Sequence, residues 1–117
     1  MKITAILLFF FSSTFVQHTP EEQLLPTKLR ITVIDGLGNF VEGASVSIYD
    51  SEDDYRASAN PIATEVTDKK GKVIFKGLKP ISYFVEAKKE EMNNNGEGVR
   101  TAPLSEGRVN KVNTVIE

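Results

Sequence analysis

Four carboxylates fall within five positions, Asp50, Glu52, Asp53 and Asp54, and Tyr55 and Arg56 follow directly. Hard oxygen donors crowded in one loop suit Ca²⁺. An EF-hand loop, however, needs a glycine after its third ligand, where this chain has Tyr55, so a solvated acidic loop is expected instead. Tyr and Arg are over-represented at binding hot spots, which makes Asp53, Asp54, Tyr55 and Arg56 the candidate binding loop. Nucleophilic hydrolysis needs a base to activate a hydroxyl; the only histidine is His18, and there is no cysteine. Asp53 and Asp54 lack the apolar surround that would raise one carboxyl for acid–base work on a glycoside. Asn93–Asn95 offer glycan-contacting amides, though three such residues in a row are first of all a turn. No catalytic residue, no metal site and no cofactor is expected.

The elements that must position these residues are read from apolar spacing. Residues 1–17 carry one lysine, an apolar stretch from Ile3 to Phe11 broken only by Thr4, then Ser12, Ser13 and Thr14. This is the layout of a cleavable signal peptide, and the apolar run is well short of the roughly 20 residues that span a bilayer. No cysteine follows to carry a lipid, so a secreted, periplasmic or cell-surface product is expected. Residues 18–27, with two prolines and two glutamates, read as a linker. Residues 28–117 are then one domain, at a size that needs neither disulfide nor metal to supplement its core. Loss of Lys2 with the leader takes the net charge from -2 to -3. With no basic block along the chain, nucleic acid is not an expected partner.

Within the domain, Leu29, Ile31 and Val33 alternate with Lys28, Arg30 and Thr32, the period of a strand buried on one face. The turn Asp35–Asn39 follows, and a second alternating run then puts Ala44, Val46 and Ile48 on one face and Ser45, Ser47 and Tyr49 on the other. The charged segment from Asp50 to Pro61 reads as the longest exposed loop. A short strand at Ile62–Thr67, the turn Thr67-Asp68-Lys69-Lys70-Gly71, and strands at Lys72–Lys76 and Ser82–Lys88 complete the core. Met92–Gly98 reads as a polar turn, with weaker strands at Val99–Pro103 and Val109–Ile116. Strands at short intervals and no useful helical period predict an all-β fold, a seven-stranded Greek-key β-sandwich.

The pieces Val33-Ile34-Asp35, Val41-Glu42-Gly43-Ala44-Ser45-Val46, Thr67-Asp68…Gly71, Phe75-Lys76-Gly77-Leu78 and Tyr83-Phe84-Val85 resemble the carboxypeptidase regulatory-like domains. These share a transthyretin-like (prealbumin-like) sandwich with the B-type repeats of Gram-positive collagen adhesins. The resemblance implies a non-catalytic accessory or adhesion-type module. The hydrolases of this fold that act on purine breakdown products use histidines and a Tyr-Arg-Gly-Ser tail, whereas this chain ends in Thr-Val-Ile-Glu. Intradiol dioxygenases hold iron with two tyrosines and two histidines, and the imidazoles are missing here. The adhesin repeats often carry a Lys–Asn isopeptide bond promoted by an acid. Glu86 matches the acid and Asn113 lies where the acceptor would be, but Val33 occupies the lysine position, so no cross-link is expected.

An exported, non-catalytic module that binds a protein or a glycan, or associates structurally, is therefore the expected function. Two alternatives stand beside it: an accessory subunit of a secreted carbohydrate-active or other hydrolytic system, and a structural stalk or inhibitor domain.

Overall fold

The structure is a computed structural model that describes residues 25–117. The expected leader, His18 and the linker up to residue 24 lie outside the described residues.

The alternation of small or polar with branched apolar residues resolves into seven strands: β1 (Lys28–Asp35), β2 (Ser45–Tyr49), β3 (Ala63–Val66), β4 (Lys72–Phe75), β5 (Phe84–Lys89), β6 (Met92–Asn93) and β7 (Val109–Ile116). They form a three-stranded sheet in the order β4-β1-β7 and a four-stranded sheet in the order β3-β2-β5-β6. Leu29, Ile31 and Val33 of β1 pack in one core with Val46 and Ile48 of β2 and Val85 and Ala87 of β5, all fully buried. The domain is thus the β-sandwich that the alternation predicts. β1 pairs in parallel with β7 from Lys28↔Val109 to Asp35↔Ile116, and antiparallel with β4, so both neighbours of the first strand are remote in sequence. One flank of the sandwich is zipped shut where Asn93 and Glu117 exchange backbone hydrogen bonds of 3.2 and 3.1 Å.

Three assignments differ from the sequence reading. Val99–Pro103 forms no named strand; it makes one bridge, Phe84↔Arg100. Gly98, at φ +64, and Pro103 bound the stretch and keep it from extending. The seventh strand is instead Met92–Asn93, inside the polar run read as a turn. It pairs with β5 at Lys88↔Asn93 and Lys89↔Met92. The segment from Asp50 to Pro61 is likewise not a plain loop, because a helix, α1 (Glu52–Ala57), occupies its centre.

The Thr67…Gly71 corner shows why its residue types are required. Thr67 is buried, and its Oγ1 donates to the Val41 carbonyl (2.6 Å) while accepting from the Ala44 N–H (2.9 Å). Asp68 Oδ1 accepts from the N–H groups of Lys70 and Lys72. Asp35 does the same at the first turn, accepting from Leu37 and Asn39. These backbone donors, Lys72 foremost for Asp68 and Asn39 foremost for Asp35, hold both carboxyls below the usual carboxylate range. A depressed acid stabilises the fold above its unfolded pKa and loses that contribution as pH falls through the folded value. The urea midpoint is therefore expected to decline as pH drops from about 5 to about 2, and to decline less in Asp35→Asn or Asp68→Asn variants.

Candidate functional site

The outer face of the four-stranded sheet differs from a bare solvent face because α1 lies over it. Ser51 caps the helix, with extended φ -137 and ψ 148, and its Oγ accepts from the Asp54 N–H at 3.2 Å. Glu52, Asp53 and Asp54 fill the first turn and Arg56 the last, an order that complements the helix dipole. Glu52 and Arg56 pair one turn apart, with Arg56 Nε 3.0 Å from Glu52 Oε2. Ser58 then takes the left-handed conformation, φ 49, and ends the helix. Capping of this kind contributes about 1 kcal/mol. Ser51→Ala is expected to lower stability by about that amount and to reduce the near-ultraviolet circular dichroism of the tyrosines that α1 packs.

Tyr55 is the apolar anchor of α1. Its ring stacks on Phe84 with centroids 5.6 Å apart at 23°, and meets Tyr49 edge-on at 5.9 Å and 71°. Arg100 sits over Phe84, its guanidinium carbon 5.4 Å from the ring centroid. Tyr49 shares the outward face of β2 with Ser45 and Ser47, yet only 2% of it is exposed, because α1 covers it. Its hydroxyl donates to Glu86 Oε1 at 2.7 Å, and burial, reinforced by that carboxylate, pushes the phenol up to about 12. Burial raises the Tyr55 phenol too, with the Glu86 charge adding to the effect.

Glu86 is the polar centre of this face. It points outward from β5 between the core residues Val85 and Ala87. Its second oxygen accepts from Ser58 Oγ at 2.8 Å, so one carboxylate joins β2, β5 and the end of α1. Tyr55, Arg56, Ser58, Glu86 and Asn95 line an open cleft of about 370 Å³ beside it. Carboxylate, guanidinium, hydroxyl and amide converge there, a donor and acceptor set suited to a ligand rich in hydroxyl or amide groups.

The four residues singled out from sequence are all on α1, but they do not share a direction. Tyr55 is turned onto the sheet, Asp54 is half-buried, and Asp53 and Arg56 face solvent. Tyr49, Ser58, Phe84, Glu86 and Arg100 were missed as members of the face, whereas Asn95 is one of the three amides read as glycan contacts or a turn. The signal for α1 was present as Ser51 three residues before Asp54, a capping pattern. Glu86, matched above to a cross-linking acid, lies on the outer face of the four-stranded sheet. Asn113 is exposed on β7 in the other sheet, and Val33 is in the core. Among the described residues, no three acidic side chains are placed to hold a common metal ion.

No protein-family model matches the chain, and no curated protein matches its sequence. Solved structures do. The Bacillus anthracis TIE protein superposes with TM-score 0.55 at 19% identity, over 79% of this chain and 17% of that one. The group B streptococcus pilus 2b backbone protein gives 0.51 at 15%, over 77% and 40%. BcpA, the major pilin subunit of Bacillus cereus, gives 0.51 at 15%, over 80% and 30%. The chain thus spans less than half the length of each, and what it shares with them is the fold, a β-sandwich of the transthyretin-like kind expected from the sequence.

Proposed function

We propose that this chain is an exported, non-catalytic β-sandwich module that works by binding, and that recognition is centred on the face covered by α1. The observation that carries this reading is the cleft between α1, Glu86 and Asn95. The fold has inserted a capped helix there, over the sheet, rather than the short turn that joining β2 to β3 requires. Its polar lining over an aromatic floor favours a hydroxyl-rich ligand, a glycan or a Ser/Thr/Asn-rich protein segment. A glycan array, and capture from the extracellular or periplasmic fraction, would be compared for the parent and for Arg56→Ala/Glu86→Gln/Asn95→Ala. The triple variant is expected to lose the parent's ligands at least tenfold while melting within a few degrees of it. Equal binding by both would remove the cleft from consideration.

Structural association by strand addition is a second reading, favoured by the flank opposite the zipped one. β3 and β4 are the edges of their sheets there, with Ile62 and Ile74 exposed beside a groove of about 440 Å³. Unpaired edges of this kind accept a partner's strand.

A further inference from the structure

The charged side chains on the outward face of the three-stranded sheet are all basic. Alternation puts Leu29, Ile31 and Val33 of β1 in the core and turns Lys28 and Arg30 out. On β4, Val73 and Phe75 point in and Lys72 points out, with Lys76 directly after the strand. On β7 the outward positions are Val109, Lys111, Asn113 and Val115. Register makes these residues neighbours: Arg30 is flanked by Ile74 on one side and Lys111 on the other, and Thr32 by Lys72 and Asn113. None of the outward positions of the three strands is acidic. Asp68, at the entry to β4, directs its carboxylate to backbone N–H groups.

This arrangement is destabilising in isolation, because like charges directly opposite one another on adjacent strands repel. A fold that carries a local cost has commonly placed it at a functional surface. The face also exposes large apolar groups: Ile74 and Val109 are about half exposed, and Phe40, 58% exposed, lies under the Lys72 ammonium at 5.0 Å. Cations interleaved with exposed apolar side chains match an interface that is anionic at its surface and apolar just beneath. Size points the same way. Three strands about 4.8 Å apart and four to eight residues long cover a few hundred Å², below the roughly 800 Å² per partner of a stable protein interface. That area is ample for several lipid headgroups.

We propose that this basic face docks the module on an anionic lipid surface, through phosphate headgroups held by Lys28, Arg30, Lys72, Lys76 and Lys111, with Ile74 and Phe40 against the acyl boundary. Because the two sheets face opposite ways, α1 and its cleft then point away from the lipid, available to a ligand. The proposal does not depend on that cleft binding anything.

Sedimentation with phosphatidylcholine vesicles, with and without phosphatidylglycerol, tests it directly. The protein is expected to co-sediment with the anionic vesicles only, and to be released as salt shortens the screening length. Each basic residue near such a surface is worth roughly a factor of five in binding. Arg30→Glu/Lys111→Glu, which inverts two charges and keeps like charges opposed, should therefore bind at least about twentyfold more weakly with an unchanged melting temperature. Lys88→Glu, on the other sheet, should stay within about twofold of the parent. Equal binding to zwitterionic vesicles, or parent-like binding by the double variant, would overturn the proposal. So would capture by soluble dextran sulfate with no vesicle binding, which would assign the face to an acidic polymer instead.

Discussion

Gly71→Ala is expected to be the most damaging single methyl that can be added to this domain. Gly71 sits at φ +72, and a Cβ there would lie 2.6 Å from the Val33 carbonyl oxygen and 3.1 Å from the Val41 nitrogen. Both are backbone atoms, so no side chain can swing aside. The left-handed conformation alone costs an alanine about 1–2 kcal/mol. Relieving the clash would also open the Val33 N–H to Gly71 carbonyl bond of 2.7 Å and the Val41 N–H to Val33 carbonyl bond of 3.0 Å, at about 1 kcal/mol each. The sum, about 3–4 kcal/mol, is a large part of the stability of a domain of this size, and corresponds to a fall in melting temperature of roughly 15–30 °C. Gly77→Ala is the control. Gly77 has φ +68 with nothing within 4 Å of the added carbon, so it reports the conformational cost alone. Equal midpoints for the two variants in urea would show that the close approach at Gly71 contributes nothing.

Asn94→Leu should be at least as severe although it preserves size. Asn94 is fully buried. Its Oδ1 accepts from the Ala87 N–H at 3.0 Å, and its Nδ2 donates to the Val85 carbonyl at 3.0 Å and to Thr114 Oγ1 at 2.9 Å. The amide therefore closes the gap between β5 and β7 where β6 has ended. Leucine leaves the β5 backbone donor and acceptor buried without partners, at about 1–3 kcal/mol for each group. A loss of about 3–5 kcal/mol is expected, with fast hydrogen exchange at the Ala87 amide as its local signature. Asn94→Asp would add the desolvation of a charge, which raises a buried carboxyl's pKa. That variant should gain stability as pH falls toward its raised pKa, opposite in sign to the parent's acid response. Parent-like exchange at Ala87 in the leucine variant would refute this role for the side chain.

How far the sequence could be read depended on the range of the forces involved. β1 was legible to the residue, because Leu29, Ile31 and Val33 alternate with polar neighbours; β7 read only as a weaker strand, since its apolar residues Val109, Val112, Val115 and Ile116 keep no period of two. The Thr67…Gly71 corner was legible because Asp68 and Gly71 close the turn locally, Asp68 accepting from Lys70 and Lys72 and its carbonyl from the Gly71 N–H, although the bonds of Thr67 to Val41 and Ala44 form only in the fold. Met92–Asn93 was not, since one methionine at the head of a polar run becomes part of a strand only through pairing with Lys88 and Lys89, a tertiary effect. α1 was hidden for a similar reason: with a single apolar anchor, Tyr55, it has no amphipathic period, and it exists by capping and by packing on Phe84 and Tyr49. Of the candidate site, Tyr55 and Arg56 were visible as residue types, but Glu86, Ser58 and Asn95 meet only once the chain has folded. The basic face escaped notice altogether. Its cations are spaced two apart on strands separated by up to about eighty positions, so no linear run ever forms.

The parallel pairing of β1 with β7 has a mechanical meaning. The chain enters the three-stranded sheet at one end of this ladder and leaves it at the other. A pull on the two ends therefore drags the strands lengthwise past each other, from Lys28↔Val109 to Asp35↔Ile116. The inter-strand bonds bear such a load together instead of parting one after another, as they would in a hairpin opened from its tip. Tension transmitted through this domain thus meets its strongest geometry first.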